Sequence, residues 1–291
     1  MWIFLDEGSQ APLNQWAELA RLKMLGVRFA VAGDWYQQLP IHEPYGQEAA
    51  IRIGMGSLLH DLCGGLRFDF EVGRRSDLKH FEYYCSLRFL ADARLCSNAL
   101  QDLKERYPWN PAEQEADVAL CMTHETRLKA AKKLNNRAAT RAEAAGLNVV
   151  CYKTDSSNRG ASKHTEMKLW PGLVLIGSVK DSRPGSIENG CEYMVLSAQE
   201  KRLEVKLIGL EDAAAISLTP ADAMKTLRLS CARTYAGCQG QTLRDLRVLL
   251  LDVDSPHFDR RKCYVAASRV TAGSLLHVAT EEQQKQWLCA P

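Results

Sequence analysis

The sequence lacks most of the features that place a protein by composition alone. Its ten cysteines (Cys63, Cys85, Cys96, Cys121, Cys151, Cys191, Cys231, Cys238, Cys263 and Cys289) include no CxxC pair, so the close spacing of a structural zinc site is missing. Several sit inside apolar runs, as packed reduced thiols do, which predicts an intracellular, reducing compartment and does not separate nucleus from cytoplasm. No apolar run reaches the ~20 residues that span a bilayer. The opening MWIFLDEG has no basic n-region and turns acidic too early for a secretory signal. Net charge is only +2, so any basic groove for nucleic acid has to be local. No repeat or low-complexity tract occurs, although DSSNRGASKHTE (155–166) reads as a polar mobile loop. No glycine is followed by lysine, so the phosphate-cradling string GxxxxGK(S/T) is absent.

With 291 residues, 46% hydrophobic and 25% charged, the chain has the make-up of a globular protein with room for two domains. Trp2, Ile3, Phe4 and Leu5 read as a strand buried on both faces, as in a parallel sheet. It runs into Asp6-Glu7, at the strand end where open α/β sheets bind ligands; the alternative is an exposed acidic turn. Leu13, Trp16, Leu19 and Ala20 keep helical spacing up to Gly26, a helix stop. VRFAVAG (27–33) is a second strand and completes a βαβ unit.

Residues 41–65 are loop-rich. Helices are expected over SDLKHFEYYCSLRFLADARL (76–95), capped by Ser76 or Asp77, and over 97–106. ADVALCMT (116–123) is a buried strand, 124–145 a long basic helix before Gly146, and LNVVCYKT (147–154) a strand. From Trp170 to Leu227 short strands follow one another, with Asn189-Gly190 as a hairpin signal; they predict a small all-β barrel inserted in the α/β frame. The alternation returns with strand RVLLLDV (247–253), helix RRKCYVAASRV (260–270) and strand SLLHVAT (274–280).

Five stretches at strand ends or adjoining loops carry the chemistry: DEGSQ (6–10), GDWYQQLP (33–40), GRRSD (73–77), TYAGCQGQT (234–242) and YVAASR (264–269). Each alone is weak. In this order and spacing the set closely resembles the later motifs of superfamily 1 helicases, in particular the RecD/Pif-like branch, over nearly the whole chain. The resemblance implies an α/β fold: a RecA-like parallel-sheet motor domain, a partial first RecA-like domain and a small inserted SH3-like β-barrel. Residues 1–58 would be the C-terminal remnant of the first RecA-like domain, 59–167 and 228–291 the two parts of the second, and 168–227 the inserted SH3-like subdomain.

The resemblance also implies roles. Asp6 would hold Mg²⁺ with a P-loop Ser/Thr that this sequence does not contain. Glu7 would act as base or position the attacking water, and Gln10 would touch nucleotide. Gln37, or Gln38 beside it, would sense the γ-phosphate, with Asp34 also in the nucleotide site. Arg75, or its neighbour Arg74, and Arg269 would reach the phosphates as fingers, typically worth about 10³–10⁵ in rate. Their planar forks suit phosphate oxygens. Gln239 and Gly240 would lie at the nucleotide, and Thr234, Tyr235 and Thr242 would couple it to nucleic acid.

ATP and Mg²⁺ are the implied cofactors, and single-stranded DNA, tracked 5′ to 3′, the implied partner. The motifs do not separate DNA from RNA, and a viral-type RNA helicase shares them. The absent P-loop predicts negligible ATPase for the isolated chain and implies a missing N-terminal motor half as a further partner. Two accounts stay open: the C-terminal portion of an ATP-dependent DNA helicase, or a degenerate remnant that binds nucleic acid without catalysis. In the basic helix, Lys129, Lys132, Lys133 and Arg137 can share one face, either tracking a strand or simply solvated. Trp35, Tyr36 and Tyr235 are open between base stacking and packing.

Overall fold

The computed structural model describes residues 1–38, 40, 52–53, 56–70, 72–90, 97–154, 164–179 and 187–289. Leu39 of GDWYQQLP, the 91–95 end of the expected helix, Cys96 and the 155–163 part of the polar loop lie outside the described residues.

β1 (Trp2–Leu5), α1 (Leu13–Met24) and β2 (Arg28–Val31) form a parallel βαβ unit in register from Trp2↔Arg28 to Leu5↔Val31. α1 stops where Gly26 adopts φ 83, a left-handed turn that a side chain would disfavour. Ile3 and Leu5 pack into a cluster with Trp16, Leu19 and Phe29. Burial of β1 on both faces is not observed: Trp2 is 55% and Phe4 79% exposed. α1 covers only the face carrying Ile3 and Leu5, and among the described residues nothing covers the other.

α2 (Ser57–Leu62) occupies a stretch expected to be loop, and its buried Leu62 joins the same cluster. Six residues between glycines are too few to display a helical period. α3 (Leu78–Ser86) is capped by Asp77, whose carboxylate accepts from the His80 amide at 2.9 Å. It tightens into a 3₁₀ turn at Leu87–Phe89 and ends in extended Leu90, so the helix expected from residue 76 is much shorter. α4 follows (Ser97–Arg106).

Further along lie β3 (Val118–Cys121), α5 (His124–Ala144), β4 (Val150–Lys153), β5 (Glu166–Leu169), β6 (Val174–Gly177), β7 (Glu192–Gln199), β8 (Arg202–Leu207) and β9 (Ile216–Leu218). The chain finishes with α6 (Pro220–Thr226), β10 (Leu227–Leu229), β11 (Ala232–Thr234), β12 (Val248–Leu250), α7 (Arg260–Ser268), β13 (Leu276–Val278) and α8 (Glu281–Cys289).

These elements divide into two compact units. The first comprises residues 1–100, 235–245 and 256–275, and the second residues 101–234, 246–255 and 276–291. The first holds the β1–β2 pair, α1–α3 and α7. The second is built on a parallel sheet in the order β11-β3-β12-β13. β3 and β12 are buried at every position, as sequences such as VALC and VLL require.

The second unit also carries an antiparallel sheet in the order β10-β6-β7-β8-β9 and a β4–β5 ladder. The expected small SH3-like barrel is therefore not closed. β10 and β9 stay at opposite edges of an open sheet, and at three residues each they offer few ladder bonds for closure. The architecture is mixed α/β with a parallel sheet. No helix among the described residues is long and apolar enough to cross a membrane. The described cysteines are all free thiols.

Candidate functional site

The acidic pair sits where β1 ends. Glu7 takes a left-handed conformation (φ 53, ψ 39) that turns the chain into a 3₁₀ turn at Gly8–Gln10. For a residue with a side chain this costs roughly 1–3 kcal/mol, and such strain gathers at functional sites. Asp6 Oδ1 accepts from the Glu7 amide at 2.9 Å. Gly8 donates its N–H to Ala32 O at 2.8 Å, and a Cβ on it would meet Val31 Cγ1 at 2.8 Å. A Cβ on Gly33 would stand 3.0 Å from the Ser9 nitrogen. Both glycines are thus required by the close approach of the two strand ends.

The second strand end, Asp34–Gln38, is held by its own carboxylate and by α7. Asp34 accepts from the Tyr36 amide at 3.0 Å, from the Tyr264 hydroxyl at 2.6 Å and, at long range, from Gln37 Nε2 at 3.5 Å. Arg88 completes an ion pair with it at 3.4 Å. Arg261 Nη1 donates to the carbonyls of Trp35 and Gln37, both at 2.6 Å. Gln37 is only 8% exposed, yet its Oε1 has no hydrogen-bond partner, and neither has Nε2 of Gln38. Unmade hydrogen bonds of this kind cost about 1–3 kcal/mol each until a ligand or water meets them.

Arg269 caps the C-terminus of α7 and is 1% exposed. Its guanidinium donates to Gln241 O at 3.2 Å, Ser268 Oγ at 3.0 Å and Val265 O at 3.3 Å. All three acceptors are uncharged. Burial, and then the neighbouring Arg75, push its pKa down, while Glu7 acts against them. Arg75 Nη1 donates to Ser268 O at 2.9 Å, so both arginines converge on one residue. Gln239 Nε2 reaches Glu7 Oε2 at 3.4 Å and Gln38 O at 3.5 Å. Gly240 (φ 78) would place a Cβ 3.8 Å from Glu7 Oε1.

Within this first unit, a cavity of about 790 Å³ is lined by Arg74, Arg75, Arg88, Arg244 and Arg269 against only Asp34 and Asp245. Gln37, Thr242 and Tyr264 also line it. A cationic cavity suits an anion rich in oxygen acceptors, and the unfilled Gln38 Nε2 is a donor, whereas the unfilled Gln37 Oε1 can only accept, as from a water.

The remaining candidates fall elsewhere. Asp6 and Gln10 are exposed. Thr234 ends β11 in the second unit. Tyr235 is 1% exposed, with its ring 5.1 Å from that of Phe258, so it packs and offers no face for a base. Lys129 and Lys133 do not share an exposed face. Lys129 is paired with Glu125 at 2.7 Å, whereas Lys133 is buried with Nζ 5.7 Å from the Trp287 ring. Lys132 is engaged by Glu166 at 3.0 Å.

Arg88, Arg244, Arg261 and Tyr264 were not singled out from the sequence. Tyr264 lies inside the YVAASR stretch, whereas nothing in local spacing marks Arg88, Arg244 or Arg261. Among the described residues no group of three or more His, Cys, Asp or Glu side chains is placed to hold a metal ion.

No family model and no curated protein matches the chain. Solved structures do. Pif1 helicase from Candida albicans is 16% identical, with 98% of this chain and 73% of that one covered at a TM-score of 0.52. Pif1 helicase from Bacteroides in complex with ADP-AlF3 and ssDNA is 16% identical, with 99% and 72% covered at 0.53. Bacteroides Pif1 bound to ssDNA is 16% identical, with 100% and 72% covered at 0.53. At such identity the likeness is one of fold.

Proposed function

We propose that this chain, folded like the Pif1 helicases, is the phosphate-sensing and strand-engaging portion of an ATP-dependent DNA helicase of the RecD/Pif-like kind. The observation that carries the reading is the gathering of Glu7, the Asp34–Gln38 loop, Gln239, Arg75 and Arg269 in one compact unit beside an arginine-lined cavity. Arg269, shielded from water and held by neutral acceptors, keeps its charge available for a phosphate oxygen. Glu7 orients a water, Gln37 offers an unfilled acceptor, and Arg75 neutralises charge that develops on a transferred phosphoryl group. Single-stranded DNA is the partner favoured by the similar solved structures, two of which are Pif1 helicases with ssDNA bound.

The donors present do not build a Mg²⁺ site. Asp6 is exposed, with one oxygen already accepting from the Glu7 amide, and among the described residues no group of three or more possible ligands surrounds it. The phosphate-cradling string is also absent from the sequence. The chain by itself therefore turns ATP over negligibly, and turnover requires a phosphate loop supplied by other residues. The same two observations favour, as a second reading, a helicase-derived binder without catalysis.

The test is ATP turnover by the purified 291 residues, with anisotropy of a labelled oligo-dT at two salt concentrations. No turnover and salt-weakened binding are expected. Mg²⁺-dependent turnover abolished by Glu7→Gln overturns the first part, and absence of binding at low salt overturns the second. In a protein that joins this sequence to a GxxxxGK(S/T) segment, Arg269→Ala abolishes hydrolysis and spares strand binding. A non-catalytic binder gives no hydrolysis to lose.

A further inference from the structure

α7 carries more than the arginine at its end. Arg261 grips the carbonyls of Trp35 and Gln37 at 2.6 Å each, and one turn on, the Tyr264 hydroxyl holds Asp34 at 2.6 Å. Arg88 backs this contact. Its Nε donates to the Tyr264 hydroxyl at 3.1 Å, and its guanidinium lies 5.2 Å from the rings of both Tyr36 and Tyr264. Arg269 caps the same helix about 12 Å along its axis from Arg261, at 1.5 Å per residue. A helix of this length bends little, whereas the 34–38 loop has no ladder of its own to fix it.

We propose that Arg261 and Tyr264 are positioning residues that latch the Asp34–Gln38 loop to the helix ending in Arg269, so that Gln37 and Arg269 present to an anion as one rigid piece. An anion engaging Arg269 is then felt at Trp35. That last step rests on the phosphate reading above; the latch does not.

Trp35 supplies the reporter. The chain contains six tryptophans, which 5-fluorotryptophan labelling turns into separate ¹⁹F resonances, with Trp35 assigned through Trp35→Phe. Tyr264→Phe removes one hydroxyl, and Arg261→Met keeps the stem and removes the donors. Without ligand, both variants are expected to shift and broaden the Trp35 resonance while Trp109, buried in the second unit, stays in place and reports an intact fold.

Inorganic tripolyphosphate, followed by calorimetry, is expected to bind the wild type and move Trp35. In Arg261→Met that movement collapses and the affinity falls about fivefold or more, the lower range of site-to-site coupling. A role confined to folding leaves the affinity unchanged. A Trp35 resonance identical to wild type in both variants, or a full tripolyphosphate response in Arg261→Met, overturns the latch. If the wild type does not bind tripolyphosphate but the variants still displace Trp35, the latch stands and the phosphate reading falls.

Discussion

Lowering the pH from 7 to 5 is expected to destabilise the second unit through His164. This imidazole is 7% exposed, and its Nε2 accepts from the Leu229 amide at 3.4 Å, so it sits in the fold as the neutral form with its proton on Nδ1. Burial, then the charges of Arg127 and Arg228, hold its pKa down at about 3. In the unfolded chain the value returns to about 6.5. Between these two values the unfolded state binds a proton that the folded state refuses, so stability present above pH 6.5 is lost progressively as the pH falls toward 3. The slope is about 1.4 kcal/mol per pH unit, which integrates to about 2 kcal/mol between pH 7 and 5. His277, in the same unit, is also depressed by burial and adds in the same direction, and His80 acts likewise on the first unit. Urea denaturation followed by tryptophan fluorescence at pH 7, 6 and 5 measures the loss. His164→Gln keeps an acceptor for Leu229 and cannot titrate, so about 2 kcal/mol of the pH dependence should vanish from that variant. An unchanged pH dependence in His164→Gln, or an NMR titration of His164 with a midpoint above 6, refutes the reasoning.

Three further outcomes follow from particular contacts. Gly177→Ala would place a Cβ 1.9 Å from the Glu188 carbonyl oxygen, so it should cost at least about 1–3 kcal/mol of stability in denaturant titration. Asp77→Ala removes the α3 cap and the acceptor for the Gly273 amide at 2.7 Å; a loss of about 1–2 kcal/mol is expected from the melting curve, and no loss would deny the cap its role. Glu7→Gly should raise stability by about 1 kcal/mol by relieving the left-handed backbone while removing the carboxylate from the site; a loss of stability would show that the turn is not strained.

Legibility followed locality. The βαβ start, the stop at Gly26 and the buried strand at 118–121 depend on neighbours in sequence, and helical spacing, a terminal glycine and an unbroken apolar run mark them. The exposed Trp2–Phe4 face did not show, because a run of apolar residues says that covering is wanted, not that it is supplied. The open five-stranded sheet was hidden for a related reason. Alternation marks each strand, but closure depends on edge length and curvature across the whole sheet. For the site, strand ends and arginines were visible as motifs, whereas the gripping side chains Arg88 and Arg261 were not. Their importance comes from carbonyls and a carboxylate that lie far off in the chain. Lys133 shows the converse: a basic residue on a basic helix, yet buried against Trp287.

The first unit is stitched from three separated stretches, with most of the second lying between them in the chain. A ribosome delivers residues at roughly 5–20 per second, so Glu7 waits on the order of ten seconds to a minute before Arg269 emerges. Until α7 emerges, Asp34 lacks the Tyr264 hydroxyl, and the carbonyls of Trp35 and Gln37 lack Arg261. The corner where α7 meets the Asp34–Gln38 loop is thus among the last parts of the nascent molecule to assemble, and a polypeptide halted before α7 would hold a largely complete second unit but a first unit without Arg261, Tyr264 and Arg269.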